Sequence, residues 1–430
     1  MDEPVWTHRR FPERKALRSF SINVSLISAQ GEHSDFRSLL DKYLDVVKLN
    51  KRSMELSLEL SRARAQTDSL FRAIDPAAFY DRPIPERHRI VFYLGHLEAF
   101  DWNQMQQAGV AERSHNPSFD KLFEFGIDPE PGQLPNDQPA DWPSIAEITR
   151  YNGLVRESVD SHLAHITADV VHMMIEHRHM HAETFAYILH NLEYEKKIGP
   201  SPHLSEGEPV LPEMISVPAG EATLGREPGD GFGWDNEYAA HAVKVPEFQI
   251  GKYKVSNGEY LAFVKDGGSV PHYWANRDGR WFWRGMFGEV PLPLDWPVYA
   301  TLDQARSYAA YKSASIPTEA QFHRASPAAI EPDANLDYRH WDPVPIRASA
   351  GISQMFGNGW EWTNTVFAPF DGFAPRLTYP GYSSNFFDGK HFVLKGASPR
   401  TAAKLVRPSL RNWFRPEYPY VYATFRLCQP

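Results

Sequence analysis

Apolar residues recur with a helical period along the first 200 positions and with a short, broken period beyond them. Phe36, Leu39, Leu40, Tyr43 and Val47 fall at i, i+3, i+4, i+7 and i+11. That spacing predicts a helix capped by Ser34 or Asp35, continuing to about Ile74 with a break near Asn50. A second helix is predicted after Pro83 and Pro85, from about Glu86 to Gln106. A third runs from about Ser144 to Ile166, and a fourth from about Ala168 to Glu195. Four amphipathic helices with one long crossover, about 107–143, predict an up-and-down bundle. The second half offers short alternating segments such as Ala242-Val243-Lys244-Val245 and Phe248-Gln249-Ile250, with one helix near Leu302–Lys312. Residues 1–200 hold only 7 of the 27 glycines and 3 of the 12 tryptophans, so turns and large aromatics concentrate after them. The second half therefore reads as an irregular α+β domain held by buried aromatics. The Pro- and Gly-containing stretch from Gly199 to Pro209 reads as the linker, which divides the chain into domains 1–200 and 201–430.

Composition narrows the function classes. The chain has 430 residues, 42% hydrophobic and 23% charged, enough to bury a core. A net charge of −9 supplies no electrostatic footprint for nucleic acid. No apolar run reaches the roughly 18 residues of a membrane span. The opening Met1–Arg10 lacks the apolar stretch of a signal peptide. A single cysteine, Cys428, excludes an internal disulfide framework and a thiolate metal cage. A soluble cytoplasmic protein is expected.

The candidate chemistry lies in histidines. His177 and His181, four apart in Glu176-His177-Arg178-His179-Met180-His181-Ala182-Glu183, share one helix face with Val170, Met174, Phe185 and Ile188. One histidine in an apolar seam is ordinarily a satisfied core residue. Two at this spacing match the way bundles build metal sites from inward pairs. His96 occupies the seam of the second helix with Arg89, Phe92, Phe100 and Asn103. If the helices face each other, the three imidazoles meet on one ion, with coordination positions open for catalysis. Neutral imidazoles suit zinc, iron or copper. Arg178 stands where a zinc peptidase needs glutamate, which excludes that chemistry. Glu183 lies about 200° round the helix from His181, so it is expected beside the site or on the surface. His179 points away from the seam, and His162, His165, His172 and His190 are read as structural or solvated.

His177-x-x-x-His181-x-Glu183 with the upstream Gly95-His96 resembles the DinB-like iron-binding bundle of the ergothioneine-type sulfoxide synthases. The second half resembles, independently, the formylglycine-generating-enzyme fold, an irregular α+β domain of C-type-lectin-like character. It does so at Val217–Gly225, Val255–Tyr260, Ile316–Phe322 and Gly357-Asn358-Gly359-Trp360-Glu361-Trp362-Thr363. The resemblance covers about residues 35–428. It implies an α + (α+β) architecture, a four-helix bundle followed by that domain. It also implies an oxidoreductase that uses non-haem Fe(II) and O2 to join sulfur to the imidazole of hercynine. The formylglycine-generating enzyme itself needs a cysteine pair, which one cysteine cannot supply.

By the same resemblance His96, His177 and His181 are the Fe(II) ligands. Tyr379, with Tyr382 second, is the tyrosine that delivers a proton or hydrogen atom. Arg411, Asn412, Trp413 and Phe414 form the stretch that meets substrate. Trp360 and Trp362 are expected in the core. The chain departs from the thiol-using members where Phe414 replaces an acidic residue and aromatics through Tyr422 replace basic ones. Met180 and Phe100 stand where glutamines are usual. These departures resemble the selenoneine synthase branch, which joins hercynine to a selenosugar, 1-seleno-glucose, in a C–Se bond. An ergothioneine synthase using cysteine or γ-glutamylcysteine remains an alternative. So does a zinc-dependent DinB-type thiol transferase.

Overall fold

The computed structural model describes residues 33–110, 113–124, 134–202, 204–205 and 207–430. The expectation for Met1–Arg10 lies outside them, as do parts of the 107–143 crossover and of the 199–209 linker. Met1–Leu58 and Glu59–Pro430 are separate compact units. Of the first unit the structure describes the amino-terminal part of one helix.

That helix, α1 (His33–Phe71), lacks the break expected near Asn50, and Ser34 and Asp35 are already helical. One asparagine costs a helix only about 0.7 kcal/mol against alanine, and the flanking Leu49, Lys51 and Arg52 are good helix formers. Helix α2 (Ile90–Gln107) begins at Ile90 rather than Glu86, because the prolines first set a turn in which Arg87 N bonds Ile84 O at 3.0 Å. The crossover contains a short helix, α3 (Pro117–Leu122), capped by the Asn116 side chain. Helix α4 (Ile145–His162) starts on a capping box. Ser144 Oγ accepts from Glu147 N at 3.3 Å, and Glu147 Oε2 accepts from Ser144 N at 2.9 Å. Helix α5 (Ala168–His190) ends at Asn191, short of the expected Glu195.

Helix α2 packs against both α4 and α5. Asn152 on α4 donates to Leu94 O at 2.8 Å, and Arg156 joins Asp68 of α1 (2.6 Å) to Glu98 of α2 (2.7 Å). Gly95 allows the chain after α3 to come close. A Cβ there would meet the Phe123 ring at 2.6 Å.

From Met214 onward the chain forms short strands: β1 (Met214–Val217), β2 (Gly220–Leu224), β3 (His241–Val245) and β4 (Phe248–Gly251). Helix α6 (Asn257–Lys265) follows, then β5 (Trp274–Arg277), β6 (Arg280–Arg284) and β7 (Glu289–Pro291). Helices α7 (Leu302–Tyr311) and α8 (Glu319–Ala325) precede β8 (Gly359–Val366), the single turn α9 (Gly381–Ser384) and β9 (Phe392–Ala397). Strands β10 (Asn412–Phe414), β11 (Ala423–Thr424) and β12 (Cys428–Gln429) close the chain. Among the described residues the strands form sheets ordered β10-β9-β8-β11, β1-β4-β12, β5-β6-β7 and β2-β3. Only β8–β11 is a parallel pair among them. No helix of the described residues is long and apolar enough to cross a membrane.

The Gly-Asn-x-Trp-Glu-Trp run enters β8 through a left-handed turn at Gly357, Asn358 and Gly359 (φ 84°, 60° and 129°). The Asn358 side chain holds this turn by accepting from Val344 N at 2.8 Å and donating to Val344 O at 2.8 Å. The strand then alternates. Trp360 and Trp362 are buried on one side, as expected of core residues, and Glu361 is buried on the other. Glu361 accepts from Lys254 at 3.1 Å and from Arg426 at 2.9 Å. Removing its charge leaves two buried cations facing each other. Glu361→Gln should lower the unfolding free energy by about 3–5 kcal/mol, measured by urea denaturation.

Candidate metal centre

Three imidazoles meet where α2 faces α5. His96 Nε2 lies 3.3 Å from His181 Nε2. The ring centroids are 5.2 Å apart for His96–His177, 4.7 Å for His96–His181 and 4.3 Å for His177–His181. One nitrogen from each lies within 4.8 Å of the others. His96 Nδ1 sits 2.7 Å from the Phe123 carbonyl. A carbonyl only accepts, so Nδ1 carries the proton and Nε2 presents its lone pair to the cluster. The close approach at Gly95 is what brings that carbonyl within reach.

Burial pushes His96 down to about 4 and holds His177 and His181 well below their ordinary value. Desolvation opposes the imidazolium, and for His177 and His181 the neighbouring imidazoles add to it. Both ring nitrogens of His177 and Nδ1 of His181 are buried with no hydrogen-bond partner among the described residues. Buried, unpartnered polar atoms are costly, and a cation ligated by the three neutral imidazoles would partner one nitrogen of each ring. The donor set therefore fits a transition metal. Phe100 holds the His177 ring face to face at 3.5 Å and 8°, and Phe92 backs His96 at 4.8 Å.

Arg178 does not share this face. Its guanidinium is fully buried and bonds Asp101 (Nε 3.0 Å, Nη2 2.6 Å) and Glu98 of α2. His179 turns toward Tyr338, 3.3 Å away, and His190 bonds Tyr422 and the Arg284 carbonyl. Glu183 is not on the surface. It is buried and accepts from Trp360 Nε1 (2.6 Å), Ser398 Oγ (2.6 Å) and Thr401 Oγ1 (2.7 Å).

A cavity of about 360 Å³ opens from His177 and His181 toward the second half of the chain. Tyr379, Tyr382, Arg411, Asn412, Trp413 and Phe414 all line it. The Tyr379 ring lies 6.4 Å from His177 and 5.4 Å from Phe100. Tyr382 stacks on Trp234 at 4.0 Å and donates its hydroxyl to Met180 Sδ at 3.2 Å. Trp413 has one face against Phe367 (4.2 Å, 6°), and Phe414 stacks on Tyr418 at 5.1 Å. Asn412 Oδ1 accepts from Trp413 N at 2.9 Å. The Arg411 guanidinium is drawn away, with Nε 3.2 Å from Glu319 and Nη1 bonding Ala368 O at 3.0 Å. Its role is to brace the wall.

Sequence reasoning passed over Arg87, Met180 as a hydroxyl partner, and Trp234. Arg87 lines the cavity and donates to Tyr418 Oη (2.9 Å) and Tyr187 Oη (3.0 Å). Both partners are neutral phenols, so its charge is not neutralised by a carboxylate. No local pattern marks Arg87, whose partners lie 100 and 331 positions away.

Comparison with known proteins fits this arrangement. A family model described as the sulfatase-modifying factor enzyme 1-like domain matches residues 201–342. The hercynine oxygenase of Mycolicibacterium thermoresistibile is 30% identical over 87% of this chain and 94% of its own length. The chain belongs to the ergothioneine-type sulfoxide synthase family. The hercynine oxygenase of Mycobacterium tuberculosis is 32% identical over 66% of this chain and 78% of its own. The ergothioneine biosynthesis protein 1 of Neurospora crassa is 27% identical over 81% of this chain and 54% of its own, and that of Schizosaccharomyces pombe 29% over 81% and 52%. The chain thus spans about half the length of these two fungal relatives.

Met180 offers a thioether to Tyr382, and Phe100 supplies a flat apolar backing to His177. Because both nitrogens of the His177 ring have no other partner, His177→Ala should lose bound metal as read by elemental analysis. Its far-UV circular dichroism should stay near wild type.

Proposed function

We propose that this chain is a non-haem iron enzyme that couples a chalcogen donor oxidatively to the imidazole of hercynine. The observation that carries the reading is the trio of neutral imidazoles opening on a cavity that Tyr379 and the Asn412–Phe414 strand also line. The relatives' names point to hercynine, and the donor set accommodates Fe(II). Bound by His96, His177 and His181, iron would supply the activation of O2. The overall change is C–H plus R–XH plus O2 giving C–X(=O)–R plus H2O, where X is sulfur or selenium.

The protein's own residues orient, exclude water and move a proton. Phe100 and Phe92 lock two ligand rings, and Trp413 with Tyr382 walls the cavity on the far side. Tyr379 stands nearer the histidines than Tyr382, whose hydroxyl is engaged by Met180 and is pushed well above its ordinary pKa by burial. Tyr379 is therefore our proton donor. Asn412 keeps its amide N–H for the substrate, and Trp413, in the cavity wall, offers the trimethylammonium its π system, an interaction of about 0.5–2 kcal/mol.

For the donor we favour a selenosugar, which makes the chain a selenoneine synthase. The supporting observation is the stacked Phe414–Tyr418 pair, an apolar surface suited to a sugar face. Arg87 favours a second reading. A cation whose side-chain partners among the described residues are phenols can also take the carboxylate of a thiol amino acid, as in an ergothioneine synthase.

The test is aerobic incubation of the Fe(II)-loaded protein with hercynine and with selenosugar, cysteine and γ-glutamylcysteine offered together, read by mass spectrometry. A C–Se adduct is expected. A C–S adduct alone transfers the assignment to ergothioneine synthesis, and turnover with zinc and no O2 uptake indicates a thiol transferase. Tyr379→Phe should slow coupling by about 10²–10⁴-fold while iron content is unchanged.

A further inference from the structure

A second cavity, of about 220 Å³, lies behind Tyr379. Tyr379 and Gly381 line it and the main cavity alike, so the phenol stands in the partition between them. The second cavity is otherwise walled by Phe100, Asn103, Gln104, Gln107 and Glu124, with the backbone of Thr378 and Pro380. Its lining runs from exposed Glu124 and Gln107 to Gln104, which is 3% exposed. Gln104 Nε2 donates to Thr378 O at 3.4 Å, but its Oε1 has no partner among the described residues. A buried amide oxygen left unpaired costs about 1–3 kcal/mol. A cavity this size has room for several waters, each needing two to four polar partners.

We infer that this cavity is a water-filled proton entrance to Tyr379, with Gln104 as the residue that positions its innermost water. The inference rests on the reading of Tyr379 given above. The donor leaves its X–H proton in bulk solvent when it enters as the anion. In the turnover the phenol gives one proton to the oxygen co-substrate as it is reduced, and the phenolate regains that one from solvent, which balances the overall change. With both coupling partners in the main cavity, that face of Tyr379 is closed to solvent. The proton therefore arrives from behind. Water at Gln104 passes a proton to the phenolate oxygen as it takes one from the next water, which is supplied in turn from bulk solvent past Glu124. No electrons move in this step, and one O–H bond breaks for each one formed. Phe100 separates the water from the imidazoles, so the entrance supplies protons without hydrating the metal ligands.

Gln104→Met keeps the length of the side chain and removes the acceptor. High-resolution crystal structures of the metal-free wild type should show ordered water joining Gln104 Oε1 toward Tyr379, and the variant should lose it. In the iron-loaded variant kcat should fall about tenfold or more with a larger solvent deuterium isotope effect. Iron content and KM for hercynine should hold. A dry cavity in the wild type, or a variant with unchanged kcat and isotope effect, overturns the proposal while coupling by the wild type continues. Failure of the wild type to couple hercynine at all sinks the reading of the site itself, and the entrance with it.

Discussion

The centre depends on the distance between two helices, and a fully buried guanidinium sets it. Arg178 leaves α5 beside His177 and closes on Asp101 and Glu98 of α2. Stripping such charges of water is expensive, and buried pairs often contribute little net stability. They do penalise every misregistered arrangement, because a shifted helix would leave a bare charge in the core. Arg156 of α4 extends the network to Asp68 of α1, so four helices share it. We see the metal site as the beneficiary. Imidazoles can converge only if α2 and α5 hold one spacing and one register.

Helix α5 serves three surroundings at once. Taking about 100° per residue, Glu176 and Glu183 fall on nearly the same line, His177 and His181 roughly 120° from it, and Arg178 farther round. The carboxylates bind the second half of the chain: Glu176 accepts from Trp234 and Arg407, and Glu183 from Trp360, Ser398 and Thr401. The histidines face α2. Met180, between the two lines, lines the cavity and meets Tyr382. One helix thus binds the second half of the chain and presents His177 and His181 beside it, which is why the cavity draws its walls from both halves.

Much of this was legible beforehand. The 3.6-residue period located the long helices of the first half, and the one read from about Ser144 begins at Ile145. The i, i+4 pair His177 and His181 announced a shared face. The boundaries that slipped did so for local reasons: a helix read through Asn50, and prolines delayed α2 to Ile90. Glu183, expected beside the site or on the surface, lies beside it in the cavity lining, held by Trp360, Ser398 and Thr401 from far along the chain. Arg87 and Gln104 carry no pattern at all. Each becomes notable only through what surrounds it.

The sequence by itself determined the long helices of the first half and the one near Leu302, and which histidines share a face. All of these are consequences of periodicity and local backbone preference, which act over a few residues. The tertiary structure decided that His96 joins the pair, that Tyr379 rather than Tyr382 stands nearer the histidines, and that the Arg411 guanidinium is held in the cavity wall by Glu319 and Ala368. Those outcomes turn on which groups lose their water together, and desolvation belongs to the folded assembly rather than to any stretch of chain.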